Sequence, residues 1–340
     1  MVEISEKEIM NTWNTDLDIM VSIKCITFNH ERYIEQAIDS FLLQITKFPF
    51  EIIVHDDKST DKTLVILNNY VLKYPNIIKV IKEDVNLYSL GKTNLINYKM
   101  DKIAKGKYIA LCEGDDYWID RNKLQIQFDM LEEHSECSIA FSRTKYVTIN
   151  GEDMGETIPP QEVSIYGVFD LEEFIKEQFG NCKWIVHTSS FFYRSIYADE
   201  MREERNKRFK NFPYGDITIV LFLLSKGNGI ITNNVQSCYR YLSGGYNSMV
   251  KANIEKNIYD MNKLCDGLRD FDKETEYIYH KYIQQRIIRA GFDIDRLKRS
   301  TFSLFKKSYW IQIPIKEHIG AILESLSPTV YKIFKRIKQY

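Results

Sequence analysis

The sequence predicts an α/β protein in which helices cover both faces of a mainly parallel central sheet. Four short apolar segments early in the chain have the composition of buried strands: 19–28, 50–57, 76–84 and 107–112. Segments with helical spacing of apolar residues separate them, and this alternation is typical of parallel sheets. The first, second and fourth strands end in TFN, HDD and EGDD. Because ligands bind beyond the carboxyl ends of such strands, we expect a crevice at that edge.

Each of the three connecting segments carries the signals of a helix. The predicted helices cover 29–44, 59–75 and 91–106. In the first, six apolar residues share one face: Tyr33, Ile34, Ala37, Ile38, Phe41 and Leu42. In the second, Ser59 or Thr60 is the candidate N-cap, with Asp61 in the first turn. Gly106 is expected to close the third helix.

The pattern becomes less regular after residue 120, and it divides the chain into regions. We predict helices over 124–134, 170–180 and 216–227, strands over 137–149, 185–194 and 229–241, and a loop over 151–161. From about residue 250 onward the spacing is helical. The predicted regions are an N-terminal extension 1–17, an α/β domain 18–248 with halves 18–130 and 131–248, and a helical C-terminal region 249–340.

Composition excludes several classes of protein. The 46 Lys and Arg nearly balance the 47 Asp and Glu, so net charge gives no support to nucleic-acid binding. The six cysteines are scattered without a CxxC pair, which indicates neither a zinc site nor a disulfide framework and fits a reducing cytosol. The polar, acidic N-terminus is no signal peptide, and no segment has ~18 consecutive apolar residues. We therefore expect a soluble or peripheral protein in the cytoplasm.

The C-terminal segment 301–340 is basic and amphipathic. It has seven Lys and Arg against two Glu, and apolar residues are interleaved with them. This pattern fits contact with an anionic membrane surface. It fits equally a helix docked on the core with a solvated basic face, or an oligomer contact. The sequence leaves these three interpretations open.

The segment EGDD, Glu113–Asp116, is the strongest chemical signal in the chain. It follows the apolar run Tyr108–Cys112 directly, so its carboxylates are placed close together at the end of a buried strand. Such a cluster needs a compensating cation, and Mg²⁺ or Mn²⁺ prefers carboxylate oxygens. The alternative is a solvated acidic turn that caps the next helix. Trp118, two residues on, argues against a fully exposed turn.

Three motifs together resemble glycosyltransferase family two, the inverting nucleotide-sugar transferases with a GT-A fold. They read VSIKCITFNHERYIEQAIDSFLLQ, EIIVHDDKSTDKT and GKYIALCEGDDYW. They occur in the family's order and spacing over roughly residues 19–130. The later segments HTSSFFYR and YGDITIVLFLLSKG resemble the acceptor half of the same domain. A Rossmann dehydrogenase is disfavoured because TFNHER, not GxGxxG, follows the first strand.

The resemblance implies a donor site. Asp116 is the implied ligand of Mn²⁺ or Mg²⁺, and Asp115 is expected to contact the ribose or a water on the metal. Phe28 is expected to stack on uracil and Asp57 to accept from a base N–H. The backbone of Ile26–Thr27 is expected to add contacts to the base.

The second half of the chain supplies the implied catalytic base. Asp216, which precedes a helix, is expected to take the acceptor proton, although it is also a natural N-cap. His187 is the second candidate. Lys92, or Asn94 beside it, is expected to meet phosphate. Arg240 is expected to contact the diphosphate in place of a family histidine.

Two positions depart from the family pattern. Glu113 stands where the family often has Asp, and Leu242 stands where it often has a His that meets the diphosphate or metal. Arg240, or the loop Gly244–Gly245 with Tyr246, is expected to take over that contact. These departures support the alternative interpretation, a degenerate protein that binds a nucleotide sugar or a partner without turnover.

The implied function is inverting transfer of a sugar from a nucleotide-sugar donor to a hydroxyl. A UDP-sugar is the expected donor, with dTDP- and GDP-sugars as alternatives. The chain is rich in Lys, Asn and Ile, which suggests an AT-rich bacterial genome. Together with the basic C-terminal segment, this favours a glycan or lipid-linked acceptor in surface polysaccharide synthesis at the cytoplasmic face of the membrane.

Overall fold

A computed structural model describes residues 2–14, 16–163, 165–241 and 253–327. The chain folds into two compact units. Unit 1 comprises residues 1–174, 183–207 and 216–242, and unit 2 comprises 175–182, 208–215 and 243–340. Two short segments from the middle of the chain are thus grouped with the C-terminal helices.

Ten strands of the described chain form one mixed sheet in unit 1. The strands are β1 (Val21–Thr27), β2 (Phe50–Asp56), β3 (Ile78–Lys82), β4 (Tyr108–Leu111), β5 (Tyr117–Trp118), β6 (Cys137–Val147), β7 (Asp153–Ile158), β8 (Gly167–Phe169), β9 (Phe192–Arg194) and β10 (Asn228–Arg240). Their order is β3-β2-β1-β4-β9-β6-β10-β5, with β7 beside β6 and β8 beside β10. Strands β3, β2, β1 and β4 are parallel. Strand β9 runs antiparallel to β4 and β6. The four predicted strands of the first half therefore form one parallel part of the sheet, and β6 and β10 form a second parallel pair.

Helices cover both faces of the parallel strands. The helices up to β10 are α1 (Glu6–Met10), α2 (Ile34–Leu42), α3 (Thr63–Lys73), α4 (Thr93–Ile103), α5 (Lys123–Glu133), α6 (Leu171–Ile175), α7 (Ala198–Lys207) and α8 (Gly215–Leu224). Side chains alternate across a strand, so Ile23 packs in a core with Phe41 of α2 and Leu67 of α3. Ile53 on the other face packs with Ile96 of α4. The predicted α/β fold class is confirmed.

The boundaries of three predicted helices were wrong. Helix α2 begins at Ile34, five residues after the predicted start. Helix α3 begins at Thr63, because the Asp61 carboxylate accepts from the Thr63 amide and the turn at 59–62 stays non-helical. Helix α4 ends at Ile103, and Gly106 does not close it. A Cβ on Gly106 would lie 2.4 Å from the Ser22 nitrogen, so glycine is required there by close approach to β1.

Two predicted segments differ from the structure in type. The predicted loop 151–161 contains β7, which pairs antiparallel with β6 in a hairpin. The polar composition of β7 gives no sign of a strand. In the predicted strand 185–194 only Phe192–Arg194 pairs as a strand. The Ser190 hydroxyl donates to the His187 carbonyl at 2.7 Å, which stabilises a helical turn at Thr188–Ser190.

Unit 2 contains the predicted C-terminal helices. They are α9 (Ile254–Glu274), α10 (His280–Leu297), a 3₁₀ turn Thr301–Phe305, α11 (Lys307–Gln312) and α12 (Ile315–Leu326). The Asn253 side chain accepts from the Lys256 amide at 3.0 Å and caps α9. Phe292, Leu304 and Tyr309 form the centre of a core with Ala321. Over the described residues, the helices are too short or too polar to cross a membrane.

Candidate active site

The acidic turn Glu113–Asp116 lies at the carboxyl end of β1. It follows β4, and the Gly114 amide donates to the Ile26 carbonyl at 2.9 Å. A Cβ on Gly114 would lie 2.7 Å from the Thr27 Oγ1, so a side chain here would push the turn away from β1. Asp116 is only 3% exposed. The turn is therefore not a solvated acidic cap.

The carboxylates of the turn repel each other, and the charge of Arg240 offsets this repulsion only in part. Burial, followed by the charges of Asp115 and Glu113, raises the pKa of Asp116 well above its usual value. Burial and the charge of Asp115 likewise raise the pKa of Glu113 to about 8. The buried Glu113 Oε2 has no hydrogen-bond partner among the described residues. A cation would offset the repulsion between the carboxylates. It would also give the unpaired Glu113 oxygen a partner.

These residues fit a divalent cation that is only partly held by protein. Mg²⁺ in particular is commonly bound through one or two carboxylates while substrate phosphates supply further oxygens. The hard oxygens of Asp116, Asp115 and Glu113 match that ligand preference. Across the described ranges, no three His, Cys, Asp or Glu side chains are arranged as a complete metal site.

Arg240 ties the acidic turn to the rest of unit 1. Its amide donates to Asp116 Oδ1 at 2.9 Å and its Nε donates to the Asp115 carbonyl at 2.9 Å. Its Nη2 donates to Gln36 Oε1 at 2.7 Å. The guanidinium carbon lies 4.8 Å from the ring centre of Tyr33. These contacts bury Arg240 at the turn and give its guanidinium hydrogen-bond partners within the protein. The contact of Arg240 with a diphosphate remains a prediction.

His187 is brought close to Asp116. Its Nδ1 lies 3.9 Å from Asp116 Oδ2 and accepts a hydrogen bond from the Ser189 amide at 3.3 Å. Burial lowers the pKa of His187 to about 3. The imidazole is therefore neutral at physiological pH and is a weak proton acceptor.

Asp216 is brought close to Glu113 although a hundred residues separate them in sequence. Burial raises the pKa of Asp216, while the Ile217 amide, which donates to it at 2.8 Å, and the Arg205 guanidinium act in the opposite direction. The charge of Asp216 also helps to raise the pKa of Glu113. A carboxylate with a raised pKa is a better base at neutral pH.

The predicted nucleotide-binding residues lie along the ends of β1 and β2. Phe28 is 42% exposed, which leaves its ring accessible for stacking. Thr27 is buried, its carbonyl accepts from the Asp57 amide at 3.0 Å, and Ile26 is half-buried beside it. The Asp57 carboxylate accepts from the Leu87 amide at 2.7 Å and from the next amide in the chain at 2.9 Å. Asp57 therefore positions the loop after β3.

Lys92 lies on the same loop. Its side chain is exposed, and its amide donates to the Leu87 carbonyl at 2.8 Å. The Asn94 side chain instead bonds to Asn206. The loop predictions that involve Leu242, Gly244–Gly245 and Tyr246 lie outside the described residues.

Sequence reasoning missed His30. It follows β1, and its Nε2 lies 3.8 Å from Asp115 Oδ2. Its Nδ1 is buried and has no hydrogen-bond partner among the described residues. The sequence contained one signal for His30: it lies two residues after Phe28, at the edge of the sheet where a crevice was expected.

Replacing Glu113 by glutamine is expected to flatten the pH dependence of stability. The pKa of Glu113 is raised in the folded state from 4.5 to about 8. Its favourable contribution is therefore present below pH 4.5 and is lost as pH rises through about 8. Without added metal, we expect Glu113→Gln to raise the free energy of unfolding at pH 8 by about 1 kcal/mol or more. Urea unfolding at pH 5 and pH 8 measures this difference.

The exposed Glu133 at the end of α5 provides the control, since Glu133→Gln removes a charge outside the turn. Equal pH slopes for Glu113→Gln and the unmodified protein would show that Glu113 is not held in a repulsive cluster. Part of the slope is expected to persist in Glu113→Gln because the raised pKa of Asp116 acts in the same direction.

The comparisons place the chain in a family. Its mixed sheet and covering helices are those of the GT-A glycosyltransferase fold. Residues 22–199 match the sequence model of glycosyltransferase family 2, which covers just over half of the 340 residues. The chain therefore belongs to glycosyltransferase family 2, and the resemblance seen in its motifs is confirmed.

Two relatives show how far the sequence similarity extends. The uncharacterized protein Rv1520 of Mycobacterium tuberculosis is 38% identical over 182 residues, 53% of this chain and 50% of that protein. The UDP-Glc:alpha-D-GlcNAc-diphosphoundecaprenol beta-1,3-glucosyltransferase WfgD of Escherichia coli is 33% identical over 148 residues, 43% of this chain and 54% of that protein. The chain thus spans about half the length of these curated relatives.

Solved structures share the fold over most of the chain. S. aureus TarS in complex with UDP-GlcNAc superposes with a TM-score of 0.58 at 18% identity, covering 92% of this chain and 83% of that one. The mannosyltransferase PcManGT from Pyrobaculum calidifontis, in complex with GDP-Man and Mn²⁺, gives 0.52 at 13% identity, with 91% and 88% covered. At these identities the likeness establishes the fold.

Proposed function

We propose that this chain is an inverting glycosyltransferase that moves a sugar from a UDP-sugar to a hydroxyl of a glycan or lipid-linked acceptor. The observation that carries the proposal is the grouping of Asp216 with the buried acidic turn Glu113–Asp116. Asp216 is close enough to raise the pKa of Glu113. A base candidate thus lies close to the acidic turn at the carboxyl ends of β1 and β4.

The donor is proposed to lie along the ends of β1 and β2. Phe28 stacks on the base, and Asp57 and the backbone of Ile26–Thr27 contact its edge. Asp115 contacts the ribose. The exposed Lys92 on the neighbouring loop contacts phosphate. Support comes from the exposure of the Phe28 ring and from the hydrogen bond between the Asp57 amide and the Thr27 carbonyl.

Asp116 is proposed to hold a divalent cation, Mn²⁺ or Mg²⁺, together with Asp115 or Glu113. When bound, such an ion offsets the negative charge that develops on a leaving diphosphate. The buried, unpaired Glu113 Oε2 and the raised pKa of Asp116 support a cation here. The Arg240 amide positions Asp116 by donating a hydrogen bond to its Oδ1.

Asp216 is proposed to act as the general base. Its carboxylate takes the proton of the acceptor hydroxyl while that oxygen forms a bond to the anomeric carbon. The bond from the anomeric carbon to the diphosphate oxygen breaks on the opposite face, and the nucleotide leaves with the electron pair. His187 is the weaker candidate because its pKa of about 3 makes it a poor proton acceptor.

A thermal-shift screen tests the donor site without knowledge of the acceptor. UDP, GDP, dTDP and their common sugars are each added with and without Mn²⁺. A ligand that binds only the folded state raises the melting temperature by mass action. We expect UDP and UDP-sugars to raise it more strongly with Mn²⁺ than without.

The outcomes separate the proposal from its alternatives. A shift with a GDP- or dTDP-sugar instead of UDP would correct the donor class. A shift without transfer or slow donor hydrolysis would favour a degenerate protein that binds a nucleotide sugar without turnover. No shift with any nucleotide from a folded sample would contradict the proposed donor site.

A further inference from the structure

Helix α12 of unit 2 exposes an apolar stripe. Ile315, Ile319 and Leu326 are 63%, 42% and 68% exposed. Their spacing of four and seven residues places them on one face of the helix. A different face carries the buried His318, whose Nε2 bonds to the Leu304 carbonyl at 2.6 Å. The helix is thus anchored to unit 2 and still presents aliphatic side chains to solvent.

The preceding segment 302–311 also exposes aromatic and aliphatic side chains. Phe302 is 95% exposed, and Phe305, Trp310 and Ile311 are also exposed. The Phe305 and Trp310 rings lie 6.3 Å apart. Trp310 in turn stacks on His318 of α12, with ring centres 4.0 Å apart. We call the seven residues the apolar face: Phe302, Phe305, Trp310, Ile311, Ile315, Ile319 and Leu326.

The charge around the apolar face is positive. Lys307 and Lys316 are exposed within the same segment. The two acids of the segment are neutralised by ion pairs inside unit 2. Glu317 pairs with Arg289 at 2.8 Å, and Glu324 pairs with Arg296 at 2.7 Å. The sequence after residue 327 adds four basic residues and no acid.

We propose that the apolar face binds the surface of an anionic lipid bilayer. Aromatic and aliphatic side chains beside lysines match the two layers of a membrane interface, the acyl boundary and the anionic headgroups. Exposed apolar side chains that are grouped within one short segment are typical of interaction sites. A second copy of the chain would bring like charges together on this face, so the bilayer is the better match. This contact is independent of the identity of the donor and the acceptor.

Vesicle sedimentation of the full chain tests the proposal. We expect binding to vesicles of equal parts phosphatidylglycerol and phosphatidylcholine, weak binding to pure phosphatidylcholine, and a decrease as salt is added. The double variant Ile315→Ser/Ile319→Ser is expected to lower partitioning about tenfold or more, because two exposed aliphatic side chains that would enter the bilayer are lost. Lys307→Glu/Lys316→Glu is expected to lower it about tenfold on anionic vesicles.

A matched control separates this face from general surface hydrophobicity. Leu72 and Ile196 of unit 1 are each 80% exposed, and Leu72→Ser/Ile196→Ser is expected to leave partitioning unchanged. Brominated lipids report insertion directly, since they should quench tryptophan emission in the unmodified protein and much less in Trp310→Phe. Circular dichroism of each variant confirms that it is folded.

Three results would overturn the proposal. One is equal binding to neutral and anionic vesicles, or to neither. Another is an equal loss of binding in the Leu72→Ser/Ile196→Ser control. The third is a dimer in sedimentation velocity that Ile315→Ser/Ile319→Ser converts to a monomer while vesicle binding stays unchanged, which would assign the face to a second copy.

Discussion

Asp216→Asn is expected to lower sugar transfer by about 10²-fold or more while donor binding stays nearly unchanged. Asparagine preserves the shape of the side chain and the acceptor oxygen for the Ile217 amide, but it cannot take the proton of the acceptor hydroxyl. Steady-state transfer measures kcat, and the thermal shift with donor measures binding. In the unmodified protein, activity should fall as pH decreases through the raised pKa of Asp216, because only the ionised carboxylate acts as a base.

The control for Asp216 is Asp266→Asn. Asp266 is an exposed acid of unit 2 that pairs with Arg269 at 2.7 Å. Its replacement is expected to leave transfer unchanged. Undiminished transfer by Asp216→Asn would show that Asp216 is not the base. His187 would then be the better candidate, despite the low pKa of its imidazole.

Asp116→Asn is expected to abolish the Mn²⁺ dependence of the nucleotide-induced thermal shift and to lower transfer by about 10²-fold, the scale often seen when a charge-stabilising group is removed. Removing one carboxylate charge weakens cation binding at the turn. The melting temperature without metal should not fall, because asparagine still accepts from the Arg240 amide and relieves repulsion with Glu113 and Asp115. This result separates a lost cation site from a misfolded protein.

Asp84→Asn is the matched control for that experiment. Asp84 is exposed and follows β3. Its replacement also removes one negative charge and should leave the Mn²⁺ response intact. A full Mn²⁺ response in Asp116→Asn would exclude Asp116 from the cation site.

The sequence by itself determined the parallel part of the fold and the position of the acidic turn. Short apolar runs and helical spacing are local signals, and burial on both faces of a parallel sheet makes them strong. Glu113–Asp116 were identifiable because carboxylates directly after a buried strand are chemically unusual. The polar hairpin β7 was missed because its stability comes from pairing with β6, which its composition does not reveal.

Only the tertiary structure decided which side chains lie close together and which already have hydrogen-bond partners within the protein. It brought Asp216 to Glu113 and His187 to Asp116, and it revealed His30 beside Asp115. It also gave the Arg240 guanidinium partners within the protein. These outcomes depend on contacts between residues far apart in the chain and on the burial that such contacts create. Burial sets the pKa of each group, and no local pattern in the sequence encodes it.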